Sequence, residues 1–532
     1  MEDKLLDLDT KSLDHHGLIA AVLKDTDFIR RVDEILPKKS PNQKISHGEA
    51  LASMIIQGLG FSDQRLYSAR RFFSGLDTAS LFFENTDASA FSADVLAGAL
   101  DRVYEYGAEK LILDVCLKIL TSKGLIRKLA YIDTTSVSVK GKGYRKRSNL
   151  LRHGHSKDKR PDLLQVVVAM ATTSDGLPFW SKTYSGNKED GSIFREIGSV
   201  EAGPLYESLA GRTTVLDSSM YSKRFFEECS WPGKWISRVP ESIKLCRLAL
   251  CDKSLKWTKV DSYFKIAEIT RAYGGEEQRW IVVRSLKAKH AEWKTLDAKM
   301  EKQEAALKKA CFKIEKRIFE TKDDAKLEIE AQRKLYPYFK IDHYIIGHHK
   351  ITRGGKRVKV GVKIRPKFSR NEKKIESLRM RKGKFILATN ELNQESLNAE
   401  DILSAYKDRN RCIEDNFKFL KRKDLGLGQI HLKKDSRIEA ALAVMTLIVF
   451  FNNLAQQRLR GFLSETGSAI LNQKRRATQR PTMRWACQIL RGVTKSVINL
   501  SGKIHARVSA LTKCQETIVR AFGADAISLY QI

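Results

Sequence analysis

Apolar positions in the first 125 residues recur with a helical period. Ser46-x-x-Glu49 is a capping box opening a helix that carries Leu51, Met54, Ile55 and Leu59. Further helices are expected over Ser92 to Tyr106 and Glu109 to Leu120. Residues 1–125 are therefore read as an all-helical domain that binds DNA or dimerises. From Lys128 the period changes. Leu129-Ala130-Tyr131-Ile132 is a short β-type run that delivers Asp133 at its end. Leu163 to Ala171 and Pro178 to Tyr184 are two more strands, separated by a turn at Asp175-Gly176. A helix over Ile193 to Val200 leads to Thr213-Thr214-Val215-Leu216, which ends in Asp217, and Trp235 to Val239 is a fifth strand. Three sequential strands, a crossover helix and two more strands predict a mixed sheet with helices on its faces, over residues 126–240.

Residues 241–383 read as an inserted α+β subdomain. Gln278 to Val283 is a strand, and Trp293, Leu296, Met300, Leu307, Cys311, Ile314 and Ile318 recur along a charged helix, read as part of a short helical hairpin. Ile351 to Ile364 alternates around Gly354-Gly355, a β-hairpin with a basic face. Phe385 to Thr389 then returns the chain to the sheet, opening a second core segment, residues 384–460. There Asn398 is placed to cap a helix carrying Ile402, Ala405, Ile413, Phe417 and Leu420. Glu414 and Lys421, seven residues apart, share one edge of that helix. The apolar run Ala440 to Phe451 is too short to cross a bilayer and reads as a buried helix. Residues 461–532 are expected to be a basic helical region, with a helix over Thr482 to Leu490.

Charge sharpens this picture. The chain of 532 residues has 96 Lys and Arg against 63 Asp and Glu, a formal charge of +33. Such an excess repels itself in a compact chain unless a polyanion is the partner, and nucleic acid is the natural candidate. The densest stretch follows Asp133: Lys140, Lys142, Arg145, Lys146, Arg147, Arg152, Lys157, Lys159 and Arg160, with His153 and His155 interspersed. Contacts from such a loop to phosphates position a duplex without reading it. The eight cysteines contain no C-x-x-C pair, so neither a zinc finger nor a disulfide framework is indicated. The acidic N-terminus, MEDKLLDLDTK, has no export signal, and a reducing cytoplasm with no membrane partner is expected.

Asp133 and Asp217 each follow an apolar strand, where side chains of neighbouring strands converge. If the Glu414 helix crosses that sheet, three carboxylates meet, and like charges at close range need cations. Hard, oxygen-seeking Mg²⁺ or Mn²⁺ suits such a site. Two ions roughly 3.5–4 Å apart can serve both the attacking and the leaving oxygen of an in-line phosphoryl displacement.

With these residues in place, the chain resembles the DDE transposases of prokaryotic insertion sequences, in the branch with a Y-R-E-K signature and a long insertion before the catalytic glutamate. The matching pieces are YIDTTSVSVKGK, GHSKDKRPDLLQVVVAMA, SGNKEDGSIF, VLDSSMYS, KWISRVPE and IEDNFKFLK, with HLKKDSRIEAALAV after it. SHGEALASMIIQGLGF and DRVYEYGAEKL also look like that branch's helical leader. The resemblance implies an RNase H-like catalytic core. It also implies Mg²⁺-dependent cleavage at the ends of a mobile element, and transfer of the freed 3′-hydroxyl into double-stranded target DNA. A homodimer in the active complex and association with the nucleoid follow from it as well. Carried over residue by residue, the triad is Asp133, Asp217 and Glu414, binding two ions, with Tyr406, an arginine and Lys421 near the DNA backbone.

One spacing departs from the signature: four residues, not three, separate Arg409 from Glu414. On an unbroken helix Arg409 lies about 140° from Glu414 and Arg411 about 60°. Arg411 is then the expected phosphate contact, unless a helical bulge realigns the first half of the helix. Two rivals stand beside the transposase: an RNase H-fold nuclease that cuts without strand transfer, and a non-catalytic basic DNA-binding derivative.

Overall fold

The computed structural model describes residues 7–38, 43–61, 68–82, 86–139, 148–353, 356–422, 432, 434–500 and 503–532. It is a mixed α/β chain with two compact units: residues 1–236 with 404–532, and residues 237–403.

The first unit opens on β1 (Asp7–Ser12), where an all-helical region was expected. The three foreseen helices follow: His47–Leu59 with both arms of the Ser46/Glu49 capping box, Ala93–Tyr106 capped by Ser92, and Ala108–Ser122. The sheet strands are β2 (Leu129–Val139), β3 (Leu164–Thr173), β4 (Pro178–Ser185), β5 (Thr213–Leu216) and β6 (Lys234–Arg238), in the order β4-β3-β2-β5-β6. Neighbours β2, β3 and β4 are antiparallel, whereas β5 runs parallel to β2, reached through the helices Asp190–Ile197 and Pro204–Leu209. β2 does not stop at Asp133 as its sequence suggested. It continues through Thr134-Thr135-Ser136-Val137 because β3 pairs with it along its length, and β-branched residues suit a strand covered on both faces.

In the second unit, β7 (Thr258–Lys259), β8 (Phe264–Tyr273) and β9 (Glu276–Ser285) precede the long helix Leu286–Lys316 and the helix Lys322–Leu335. β10 (Phe339–Arg353) and β11 (Lys356–Arg370) form the expected hairpin, and β12 (Lys384–Thr389) adds to the order β12-β9-β8-β7. Leu307, Cys311 and Ile314 of the long helix, Ala325 and Ile329 of its successor, and Ile341, Val362 and Ile364 of the hairpin share one buried cluster. The two helices are therefore a hairpin rather than an extended coiled coil.

Back in the first unit, the helix Asp435–Glu465 exceeds the short apolar run read from sequence. It is long and apolar enough by composition to cross a membrane, yet 83% of its most apolar 18-residue window is buried inside the protein. It packs against β4 and the N-terminal helices, with Phe451 edge-on to Phe28 at 5.0 Å. The C-terminal region is mixed rather than helical: β13 (Ile470–Leu471), β14 (Ala477–Thr478), β15 (Thr494–Leu500) and β16 (Lys503–Val508) accompany the expected helix, here Met483–Ile489. β15 pairs with both β16 and β1, which fastens the two ends of the chain together.

Candidate functional site: two aspartates and an arginine on the Glu414 helix

Parallel pairing of β2 with β5 sets the site. The register runs from Leu129 opposite Thr213 to Ile132 opposite Leu216, so the next residues along the two strands are Asp133 and Asp217. β5 ends there. The Asp217 carboxylate accepts the Ser219 N–H at 3.0 Å and caps a short 3₁₀ turn. Asp133 lies mid-strand, 5% exposed, and accepts the N–H of Thr134 at 2.7 Å.

The helix Ala399–Arg409 is capped by Asn398, whose side-chain oxygen accepts the Asp401 N–H at 2.8 Å. It then passes into one π-turn, Asn410–Glu414, before the α-helix Asp415–Leu420. That turn absorbs the extra residue noted in the sequence. An i→i+5 turn brings Glu414 back towards the face of Arg409, so Arg409, not Arg411, is the arginine turned to the aspartates. Its Nη2 donates to Asp133 Oδ2 at 2.8 Å and lies 3.0 Å from Asp217 Oδ1. Arg411 is 61% exposed and lies 3.7 Å from Asp408.

The π-turn is held from below by the β3–β4 turn. Cys412 Sγ–H meets the Ser174 carbonyl at 3.0 Å, and Asn416 and Asn453 both donate to the Gly176 carbonyl, at 2.9 and 2.8 Å. Asn453 also donates to Asn416 Oδ1 at 2.8 Å, and Tyr131 of β2 donates its hydroxyl to the Ala405 carbonyl at 3.0 Å. Asn416 is 3% exposed, so its loss strands buried partners. Asn416→Leu is expected to cost about 1–3 kcal/mol of stability, read by urea denaturation.

Lys157 completes the electrostatics. The loop that carries it lies close against the start of β3 and the residue after β4: Gly154 has no room for a side chain, since a Cβ there would meet the Gly186 carbonyl oxygen at 2.0 Å and Gln165 Nε2 at 2.8 Å. Lys157 Nζ donates to the Thr134 carbonyl at 2.7 Å and sits 3.1 Å from Asp190. Burial dominates at Asp133 and raises its pKa against the pull of Arg409 and Lys157. Burial acts the same way on Asp217, but Arg409, the Ser219 hydrogen bonds and Lys157 outweigh it and hold that carboxyl low. Arg409 loses solvation too, yet its two aspartates hold its proton more tightly than usual.

Among the described residues, no three Asp, Glu, His or Cys side chains gather closely enough to hold a metal ion. The aspartates meet as expected; Glu414 does not complete a three-carboxylate cluster with them. Glu414 is half-buried, and Asn410, with its amide turned to donate, reaches its oxygens at 2.8 and 3.2 Å. The donor chemistry of the pair still fits a hard divalent ion. Asp133 and Asp217 are two acceptor-only oxygen ligands whose charges already draw one shared cation into the site.

Of the remaining expected residues, Lys421 lies 2.8 Å from Asp158, beside Lys157 in the chain, and Tyr406 is half-buried on the same helix and acts on the charge of Arg409. Lys140, Lys142, Arg145, Lys146 and Arg147 lie outside the described residues. Sequence reasoning read Lys157 only as one cation of the basic loop after Asp133, and passed over Asp190 and Asn416 as site residues. Their signal lay in the pieces GHSKDK, NKED and IEDNF, but only tertiary contacts show what each one holds.

No curated protein matches the chain. Residues 8–117 match a family model described as a domain of unknown function, DUF4277, a domain found in transposase-like proteins.

Proposed function

We propose that the chain is a DNA transposase with an RNase H-like core, performing metal-dependent strand cleavage and strand transfer. One observation carries this reading: Asp133 and Asp217, neighbours on parallel strands, share one guanidinium from the helix that presents Glu414. Three antiparallel strands followed by a parallel strand reached through helices is the arrangement an RNase H-like core calls for. The matched domain at residues 8–117 supports the same reading.

Asp133 and Asp217 would hold Mg²⁺ or Mn²⁺, with Glu414, on the same helical segment as Arg409, as the third carboxylate that the resemblance implies. The ions supply the positive charge that activates an attacking oxygen and steadies a leaving one. The chain's own residues do the positioning. β2 and β5 fix the aspartates, the π-turn aims Arg409 and Glu414 to one side, and Lys157 limits the negative charge around Asp133. Lys421, at the far end of the same helix edge, faces the path of the DNA backbone.

Strand transfer separates this reading from a nuclease. Inverted repeats flanking the gene would supply the cognate end, offered as a duplex with a free 3′-hydroxyl together with a supercoiled target plasmid and Mg²⁺. Covalent joining of the end to the plasmid is expected. Nicking of the plasmid without joining would favour an RNase H-fold nuclease instead, and neither would favour a non-catalytic DNA-binding protein.

A further inference from the structure

β5 accompanies β2 only from Leu129 to Ile132, and past that point Thr134 finds side-chain partners for its backbone. Its N–H donates to Asp133 Oδ1 at 2.7 Å, and its carbonyl accepts from Lys157 Nζ at 2.7 Å. The Thr134 hydroxyl is used twice as well. It donates to Asp190 Oδ1 at 2.7 Å and accepts from Lys157 Nζ at 2.8 Å. Asp190 Oδ2 closes the ring, 3.1 Å from the same Nζ. The ammonium thus has an acceptor for each of its three N–H groups, and every polar atom of the buried Thr134 is engaged.

The fold holds both sides of this ring. Asp190 opens the helix Asp190–Ile197, and Gly191 next to it lies beside the Ser219 carbonyl, where a Cβ would come within 3.4 Å. Ser219 is the residue whose N–H Asp217 accepts. Lys157 donates its own backbone N–H to the Ser136 hydroxyl at 2.9 Å. The segment leading to it is pinned at Asp435, which accepts the Ser148 hydroxyl at 2.6 Å and the N–H groups of Asn149 and Leu150 at 2.8 and 3.1 Å. Successive side chains of a strand point to opposite faces, so the Thr134 side chain lies behind β2 from the Asp133 carboxylate and from Arg409. An ammonium saturated there has no N–H left for a phosphate.

We propose that Lys157 is a positioning residue and not a phosphate contact. With Asp190 it clamps Thr134, whose N–H ties down Asp133 Oδ1 and leaves Oδ2, the oxygen that accepts from Arg409, as the one presented to a divalent ion. The proposal rests on the metal-dependent reading of the aspartate pair for its ion. Charge and geometry give opposite expectations for loss of the ammonium. Taking a cation away from two aspartates should tighten a divalent ion through charge alone. Releasing the clamp should loosen it, by the roughly 10–100-fold lost when a residue that orients a metal ligand is removed.

The test uses full-length protein with two readouts. Mn²⁺ uptake is followed by the free-ion electron paramagnetic resonance signal. Binding of a random-sequence 40-base-pair duplex is followed by fluorescence anisotropy without divalent ions, between 50 and 200 mM KCl. Lys157→Met should weaken Mn²⁺ uptake about tenfold or more and leave the salt slope of duplex binding at the parent value. Lys157→Met with Asp190→Asn, which leaves the net charge as it was, should weaken uptake to the same degree. Thr134→Val should weaken it too, and Thr134→Ser, which restores the hydroxyl, should recover what Thr134→Val loses. The proposal is overturned if Lys157→Met takes up Mn²⁺ as tightly as the parent or more tightly, or if its salt slope falls by about 1, the mark of a lost phosphate contact. If Lys157→Met does not fold, equal uptake by Thr134→Val and Thr134→Ser overturns it. A parent that takes up no Mn²⁺ would instead sink the metal-dependent reading itself.

Discussion

Asp133→Asn, Asp217→Asn and Glu414→Gln should each abolish cleavage of a supercoiled plasmid carrying cognate ends, while duplex binding stays at the parent level or tightens. The loss expected is about 10³-fold or more, the upper scale seen when one preset electrostatic contact to a transition state is removed. Binding persists because each change deletes a negative charge near a polyanion and leaves the arginines in place. Asp133→Asn has a further consequence. Its two oxygens face two donors, the Thr134 N–H and Arg409, and an amide offers only one acceptor oxygen to them. Arg409 should then lean on Asp217 alone. Near-parental cleavage by any one variant would remove that residue from the catalytic set.

Arg409→Gln is expected to be the most damaging substitution for the metal-free protein. The arginine side chain is 16% exposed and its partners Asp133 and Asp217 are 7% and 24% exposed, so two buried carboxylates would be left without their common cation. Removing one side of such a buried group costs about 3 kcal/mol or more. The pH dependence has a definite sign. In the parent, Asp217 titrates below its ordinary range, so it contributes stability above its unfolded pKa that is lost as pH falls through the folded value. Asp133, shifted up by burial, opposes it: stability drains as pH rises through its raised pKa. Without Arg409 both carboxyls move up, so Arg409→Gln should be weakest near pH 7 and approach the parent as the solution is acidified. Millimolar Mg²⁺ should restore more stability to the variant than it adds to the parent, in chemical denaturation at fixed pH. An equal response of both proteins to Mg²⁺ would show that the guanidinium and the ion do not share a place.

How much of this was legible depended on how local the determinant was. Asp217 could be placed because β5 is a short β-branched and apolar run, Thr-Thr-Val-Leu, followed at once by a side chain that caps the next turn, so the whole determinant is local. Asp133 was recognisable by chemistry but misplaced to a strand end. The Thr-Thr-Ser run after it looks like a turn until β3 pairs with it and the Lys157 backbone N–H donates to the Ser136 hydroxyl at 2.9 Å. The Arg409–Glu414 spacing announced a choice between a straight helix and a bulge without deciding it. Contacts of Cys412 and Asn416 with Ser174 and Gly176, some 240 residues earlier, accompany the bulged answer. β1 was invisible for the same reason: DLDTKS has no apolar pattern, and its partner β15 lies at the other end of the chain. The Glu414 helix, by contrast, carried its own Asn398 cap and apolar stripe, and both sit where the sequence put them.

Uptake of Mn²⁺, followed by loss of the free-ion electron paramagnetic resonance signal, decides whether the aspartate pair is a metal site. The parent should withdraw Mn²⁺ from solution at micromolar to millimolar concentration. The Asp133→Asn/Asp217→Asn double variant should withdraw none, and Arg409→Gln should withdraw it at lower concentration than the parent. If the double variant took up Mn²⁺ as the parent does, the ion would bind elsewhere and the two aspartates would be a structural pair neutralised by an arginine.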